Sequence, residues 1–133
     1  MTAFPLKIVT PDGLVYDGQA EEVVVRTTTG DMGILAGHIN CVAPLGMGRA
    51  TILADGQKRY AACIGGIASV VNGTVTLVPT TFEWADEIDA ERAAASKARA
   101  EATLAQKNLD EREMELAQAR LKRALVRTSV AGK

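Results

Sequence analysis

Hydrophobic residues alternate with polar ones along the first two-thirds of the chain, then recur at steps of three and four. Leu6-Lys7-Ile8-Val9-Thr10 reads as a strand, Pro11-Asp12-Gly13 as a turn and Leu14-Val15-Tyr16 as the next strand. Val23-Val24-Val25-Arg26-Thr27 is too rich in β-branched side chains for a helix. Asp55-Gly56 and Asn72-Gly73 each separate two apolar runs. Both central residues of a type I′ turn need φ > 0, and Asp, Asn and Gly reach it cheaply, so these pairs predict tight hairpins. Ile52-Leu53-Ala54 then pairs with Arg59-Tyr60-Ala61-Ala62, and Ala68 to Val71 with Val75 to Val78. Short strands at this spacing predict an antiparallel β-sandwich or flattened barrel.

The period changes at Ile88-Asp89-Ala90-Glu91-Arg92-Ala93, where alanine and charge take over. The pattern predicts two domains, a β-sandwich over 1–84 and a C-terminal antiparallel two-helix hairpin over 85–133. Asp89 suits an N-cap, and Glu91 suits the positive end of a helix dipole. The first helix is expected to reach about Lys107, with Asn108-Leu109-Asp110 as the break. Met114, Ala117, Leu121, Ala124 and Thr128 form a heptad-like seam on the second helix, facing Ala94, Ala98, Ala102, Ala105 and Leu109 on the first. A buried alanine methyl contributes under ~1 kcal/mol, against roughly 1.5–3 for leucine or phenylalanine. Helices rich in alanine, glutamate, lysine and arginine hold their own shape, but an alanine seam docks them weakly. A movable arm is expected.

Composition narrows the function. The chain has 133 residues, a formal net charge of −1, 47% hydrophobic and 23% charged residues. That balance argues for a folded chain and against general nucleic-acid binding, which wants a strongly basic face. No apolar run approaches the roughly 18 to 20 residues of a membrane span, and the N-terminus shows no signal-peptide pattern. A soluble protein is expected, linked to a membrane only through a partner. Cys41 and Cys63 lack CxxC spacing and read as small buried thiols.

Five arginines mark the helical part. Arg92 and Arg99 share one face of the first helix, and Arg120, Arg123 and Arg127 one face of the second. A hairpin folded about Leu109 and Asp110 sets 92 opposite 127 and 99 opposite 120. Facing guanidinium rows repel, and a polyphosphate would relieve that through bidentate contacts. Solvated charges on exposed helix faces are the plainer reading. Beyond Glu115 only basic charges remain, among them Arg120, Lys122, Arg123 and Arg127, which also suits docking on an acidic partner. Nothing resembles a catalytic constellation. His38 and Cys41 are too few for a metal site, Gly46-Met47-Gly48 lacks a dinucleotide loop's third glycine, and no GxxxxGK[ST] occurs. Gly65-Gly66 suggests a tight bend or a close backbone approach.

Several segments together resemble the epsilon subunit of bacterial F-type ATP synthase over nearly the whole chain. They are Val9-Thr10-Pro11-Asp12-Gly13, the GxxGILxGH-like stretch Gly30 to His38, Ile64-Gly65-Gly66 and Leu121-Lys122-Arg123-Ala124. The resemblance implies a β-sandwich followed by two helices, and a non-catalytic rotor subunit of the proton-driven machine. Its partners would be the gamma subunit, the c-ring and, in an inhibited state, the alpha/beta head, with no nucleic acid and no membrane insertion. The place implied is peripheral, on the cytoplasmic face of the bacterial cell membrane. Asp31 and His38 would lie in the loop region meeting the rotor, with Asp31 where the family more often has glutamate. Arg120, Lys122, Arg123 and Arg127 would meet an acidic loop of a beta subunit and block ATP hydrolysis. Ile88 to Ala93 is similar to the family's I/LDxxRA motif for ATP. By that resemblance Glu83, Ile88 and Asp89 would hold adenine and ribose, Arg92 and Ala93 complete the motif, and Arg92, Arg99, Arg123 and Arg127 face the phosphates. ATP is then a regulatory ligand, and no cofactor is required. A free-standing ATP-sensing or protein-interaction module is the alternative.

Overall fold

The computed structural model describes residues 2–133. It divides into a unit ending at Trp84 and a unit from Ala85 to Lys133. The first holds ten strands: β1 (Phe4–Thr10), β2 (Gly13–Ala20), β3 (Glu22–Thr27), β4 (Gly30–Leu35), β5 (Cys41–Pro44), β6 (Met47–Ala54), β7 (Gln57–Ile64), β8 (Ile67–Val71), β9 (Thr74–Val78) and β10 (Thr81–Trp84). They form two five-stranded sheets, ordered β2-β1-β9-β8-β5 and β10-β7-β6-β3-β4. Each strand gives alternate side chains to one core: Phe4, Leu6 and Ile8 from β1, Val23 and Val25 from β3, Val70 from β8, Val75 and Leu77 from β9, Phe82 and Trp84 from β10. The expected sandwich is present, with one parallel pairing, β1 beside β9, among antiparallel ones.

The two hairpin signals act as read. Asp55 and Gly56 have φ of 53° and 73°, Asn72 and Gly73 of 48° and 82°. Ala54 pairs with Gln57 and Val71 with Thr74 across two-residue loops. Gly30 to Leu35 departs from expectation. The family resemblance put Asp31 in a loop region, yet the segment pairs along its whole length with β3. The apolar residues Met32 and Ile34 between the glycines, one packed on the core and one wholly buried, account for the strand.

The second unit opens with a short 3-10 turn at Ala85–Glu87, followed by α1 (Ala90–Leu104) and α2 (Glu111–Val130). The helices pack on each other, and Gly132 N–H donates to the Ala85 carbonyl at 3.2 Å, so the chain returns to where the unit began. α1 ends at Leu104, three residues short of the expected Lys107. The Ala105 N–H still reaches the Glu101 carbonyl and the Gln106 N–H the Thr103 carbonyl, closing the last turn. The seam on α1 is also displaced. Ala94, Ala98, Ala102 and Ala105 are exposed and Leu109 half-buried, whereas Ala93 and Ala100 are buried. On α2, Ala117 and Ala124 are buried and Leu121 half-buried, but Met114 and Thr128 are exposed. Buried alanines thus stand seven apart on both helices, as a heptad pair requires.

Gly66 shows how tightly the sandwich closes. Its φ is +100°, and a Cβ there would lie 2.1 Å from the Val78 carbonyl oxygen and 2.6 Å from Pro79 Cα. Gly66→Ala is expected to destabilise the fold by roughly 3 kcal/mol, strain and overlap combined. Gly13→Ala, at φ +126° but with open space around it, should cost about half as much. Denaturant midpoints of the two variants check the difference.

Candidate functional site

The motif at the start of α1 is first of all a helix start. Asp89 has extended backbone angles and its Oδ1 accepts the Arg92 backbone N–H at 3.0 Å. Asp110 does the same for α2, accepting from Glu113 N–H at 2.7 Å. Each aspartate satisfies an amide that would otherwise be orphaned in the first turn. Ala93 is buried, so its methyl serves packing, while Ile88 is half-buried and Arg92 projects outward. Glu83 belongs to β10, where it pairs with Ala62, and the other ATP candidates lie in the helical unit.

The arginines separate by exposure. Arg92, Arg99 and Arg120 are exposed, whereas Arg123 and Arg127 are half-buried. Arg123 directly precedes the buried Ala124, and Arg127 lies three residues after it, so both flank the seam. Arg99 is held locally, its Nη2 donating to Ser96 Oγ at 3.0 Å. Lys122 is exposed and projects from α2 near Arg123 in sequence.

Asp31 and His38 are not neighbours. Asp31 is the second residue of β4, beside the β3–β4 turn, and His38 follows the strand's other end. The four steps from Asp31 to Leu35 alone span about 13 Å. Asp31 Oδ1 lies 3.0 Å from Arg26 Nε, its cross-strand partner. Both are half exposed, so the pair adds no more than about 1 kcal/mol to stability. The turn beside them is braced: Thr27 Oγ1 donates to the Gly30 carbonyl at 2.7 Å, and Thr28 N–H to the Pro44 carbonyl at 3.1 Å. His38 Nδ1 is 2.8 Å from the Ile39 carbonyl oxygen, and an oxygen that can only accept fixes the proton on Nδ1.

Sequence reasoning missed an apolar face on the first sheet. Val42, Ile67, Val71 and Val78 are exposed on it, and Pro44, Ile67 and Val78 stand in one cross-strand row. Ile39, 77% exposed, lies at its rim near the Asn40–Asn72 hydrogen bond of 2.8 Å. The signal was in Ile67-Ala68-Ser69-Val70-Val71, where apolar residues fall on both faces of the strand. Two cation–π contacts also went unseen, Arg49 over Tyr60 at 4.9 Å and Arg59 over Trp84 at 3.7 Å.

The thiols are single. Cys63 is buried in the core, and burial pushes its pKa from 9.0 up to about 12. Cys41, read as buried, is partly exposed and 4.0 Å from His38 Nδ1. Among the described residues no group of His, Cys, Asp or Glu side chains is arranged to hold a metal, and no helix is long and apolar enough to cross a membrane.

Residues 3–85 match the family model of the beta-sandwich domain of the ATP synthase delta/epsilon chain, and residues 86–132 that of its long alpha-helix domain. The chain is 46% identical to the ATP synthase epsilon chain of Bacillus velezensis, covering 99% of each. It is 42% identical to that of Ruminococcus albus, covering 100% of this chain and 99% of the other. A chain in the cryo-EM structure of the Euglena gracilis mitochondrial ATP synthase, OSCP/F1/c-ring, superposes with a TM-score of 0.81 at 26% identity, covering 92% of this chain and 77% of that one. One from the central stalk and c-ring of the Tetrahymena thermophila enzyme shares the fold at a TM-score of 0.64 and 14% identity, covering 94% and 93%.

Asp89→Ala is expected to destabilise the helical unit by about 1 kcal/mol, and Asp89→Asn to recover most of that, as read by circular dichroism on heating. The stability that Cys63 contributes is present below pH 9.0 and lost as pH rises toward about 12, since only the unfolded thiol ionises in that window. Unfolding midpoints of the wild type should therefore fall faster than those of Cys63→Ala across it.

Proposed function

The chain belongs to the delta/epsilon family of ATP synthase, whose epsilon subunit is a non-catalytic stalk subunit, and on that premise we propose a coupling and inhibitory role in a proton-driven enzyme. The sandwich joins the gamma subunit to the c-ring. The helical arm blocks ATP hydrolysis when it leaves its hairpin to reach the alpha/beta head. The complex places the chain peripherally, at the cytoplasmic face of the bacterial cell membrane.

The alanine seam carries this proposal. Of the buried residues of α1 and α2, only Val130 is larger than alanine. Each helix has its own aspartate cap, so it keeps its form when the seam parts. An element built this way exchanges docking partners at little cost. Once free, Arg120, Lys122, Arg123 and Arg127 can pair with an acidic beta-subunit loop, and ion pairs at a desolvated contact outweigh the few methyls lost.

The apolar face of the first sheet suits gamma, because half-exposed Val and Ile side chains gain about 1 kcal/mol each on burial. His38 and Ile39 at its rim join that contact. Asp31, at the other end of β4, faces the c-ring. One chain thereby holds two rotor parts at once.

ATP is assigned as the ligand of the folded hairpin. Arg123 and Arg127 flank the seam and Arg92 and Arg99 project from α1, so a triphosphate can take bidentate contacts from guanidinium groups of both helices. Ile88 and Asp89 take the nucleoside end, and Ala93 keeps the helices close. ATP binding then favours the hairpin and relieves inhibition. The same arginines favour a second reading, a free-standing ATP sensor, which differs in needing no rotor.

A chain ending at Glu87 is expected to assemble with gamma and the c-ring yet to leave ATP hydrolysis uninhibited in the reconstituted enzyme. Unchanged inhibition by this truncation would remove the arm mechanism. Calorimetric titration of the full chain with ATP should show saturable binding, weakened about tenfold or more by Arg92→Ala through loss of a charge-assisted contact. Heat changes absent from both proteins would leave the arginines to the beta-subunit contact alone.

A further inference from the structure

The hairpin uses the alanines of α2 and leaves the larger apolar side chains outside. Met114 and Leu125 are each 43% exposed, Leu121 is only half-buried and Thr128 is exposed, although α1 packs along the same helix. Met114, Gln118, Leu121, Leu125 and Thr128 follow one another at steps of four, three, four and three. That is the repeat of a coiled-coil face, and it runs for about 21 Å along α2. The seam residues Ala117 and Ala124 flank this face on one side. Glu115 and Lys122, both exposed, flank it on the other. α2 therefore carries two faces, one spent inside the hairpin and one still open.

Charge decides what fits the open face. The first half of α2 is mainly acidic, with Glu111, Glu113 and Glu115 against Arg112, while the second half holds Arg120, Lys122, Arg123 and Arg127 and no acid. A parallel copy of α2 would set acid beside acid and base beside base. An antiparallel copy sets each half against its opposite. Centred between Gln118 and Leu121, such a pair lays Met114 on Leu125 of the second copy and Gln118 on its Leu121. Glu115 then stands beside its Lys122, and twofold symmetry makes every contact occur twice. The two Gln118 side chains meet near the axis and can bond to each other. Other registers would bury those amides without partners, so Gln118 fixes this one. The seam plays no part, and the hairpin stays closed.

We propose that the open face of α2 is a self-association surface, through which two copies of the free chain pair antiparallel by Met114, Gln118, Leu121 and Leu125, with Glu115–Lys122 ion pairs beside them. One helix face is less than a standard interface supplies, so the pair is weak and forms where unassembled chain accumulates. Pairing occupies α2 of both copies and therefore competes with any other use of that helix. The inference does not depend on the inhibitory role proposed above.

Sedimentation equilibrium of the free full chain, from about 1 μM to about 1 mM, tests this. The average mass should rise from one chain toward two across that range. Leu125→Gln should weaken association about tenfold or more, since symmetry removes the contact twice. Glu115→Lys and Lys122→Glu should each weaken it about tenfold by setting like charges together, and the double exchange Glu115→Lys/Lys122→Glu should restore it. All these positions are exposed, and circular dichroism melts establish that each variant folds. A mass that stays at one chain throughout overturns the proposal. So does a dimer that Leu125→Gln leaves intact but Ile67→Lys abolishes, because its contact then lies on the sandwich. Single charge changes without effect, or a double exchange that restores nothing, overturn the antiparallel arrangement and the proposal with it.

Discussion

A pleated strand sends successive side chains to opposite faces, and in a sandwich one of those faces is already committed to the core. Once Ala68 and Val70 of β8 and Val75 and Leu77 of β9 are buried, Ile67, Val71 and Val78 have no choice but to face outward. Their exposure is forced by the same register that buries their neighbours. A one-residue slip would bring these three inside but turn the core set out. The apolar face is therefore as rigidly defined as the core itself, and a partner that covers it finds every side chain in place.

The helical unit obeys a different economy. Its stability resides in hydrogen bonds within each helix and in caps at Asp89 and Asp110, and only thinly in the seam between helices. Two sorts of rigidity therefore meet in one chain: a sandwich that keeps its inter-element geometry and helices that keep only their own. The sandwich's register is fixed by its core, whereas little buried side-chain volume holds one helix to the other.

Both hairpin turns were legible because Asp-Gly and Asn-Gly leave few alternatives for the backbone. The sandwich followed from them. The seam's phase was not legible, because alanine occupies positions 90, 93, 94, 95, 98, 100, 102 and 105, and a residue found on every face marks none of them. The resemblance put Asp31 and His38 in one loop region, and the pairing of β4 with β3 that separates them is not local in sequence. The motif at Asp89 was visible as a pattern, and its capping role followed from position. The contact of Arg26 with Gly48 was not, since it depends on which strand lies beside β3 and on the missing side chain at Gly48, neither of which is local in sequence.

The connector at 105–110 has a mechanical consequence. At 1.5 Å per residue α1 is about 22 Å long and α2 about 30 Å, and the break carries its own start signal at Asp110. Opening the hairpin thus produces two stiff rods on a joint, not one continuous rod. Such a linkage can thread a curved passage that a single straight lever would jam against, and the load it bears is limited by the joint.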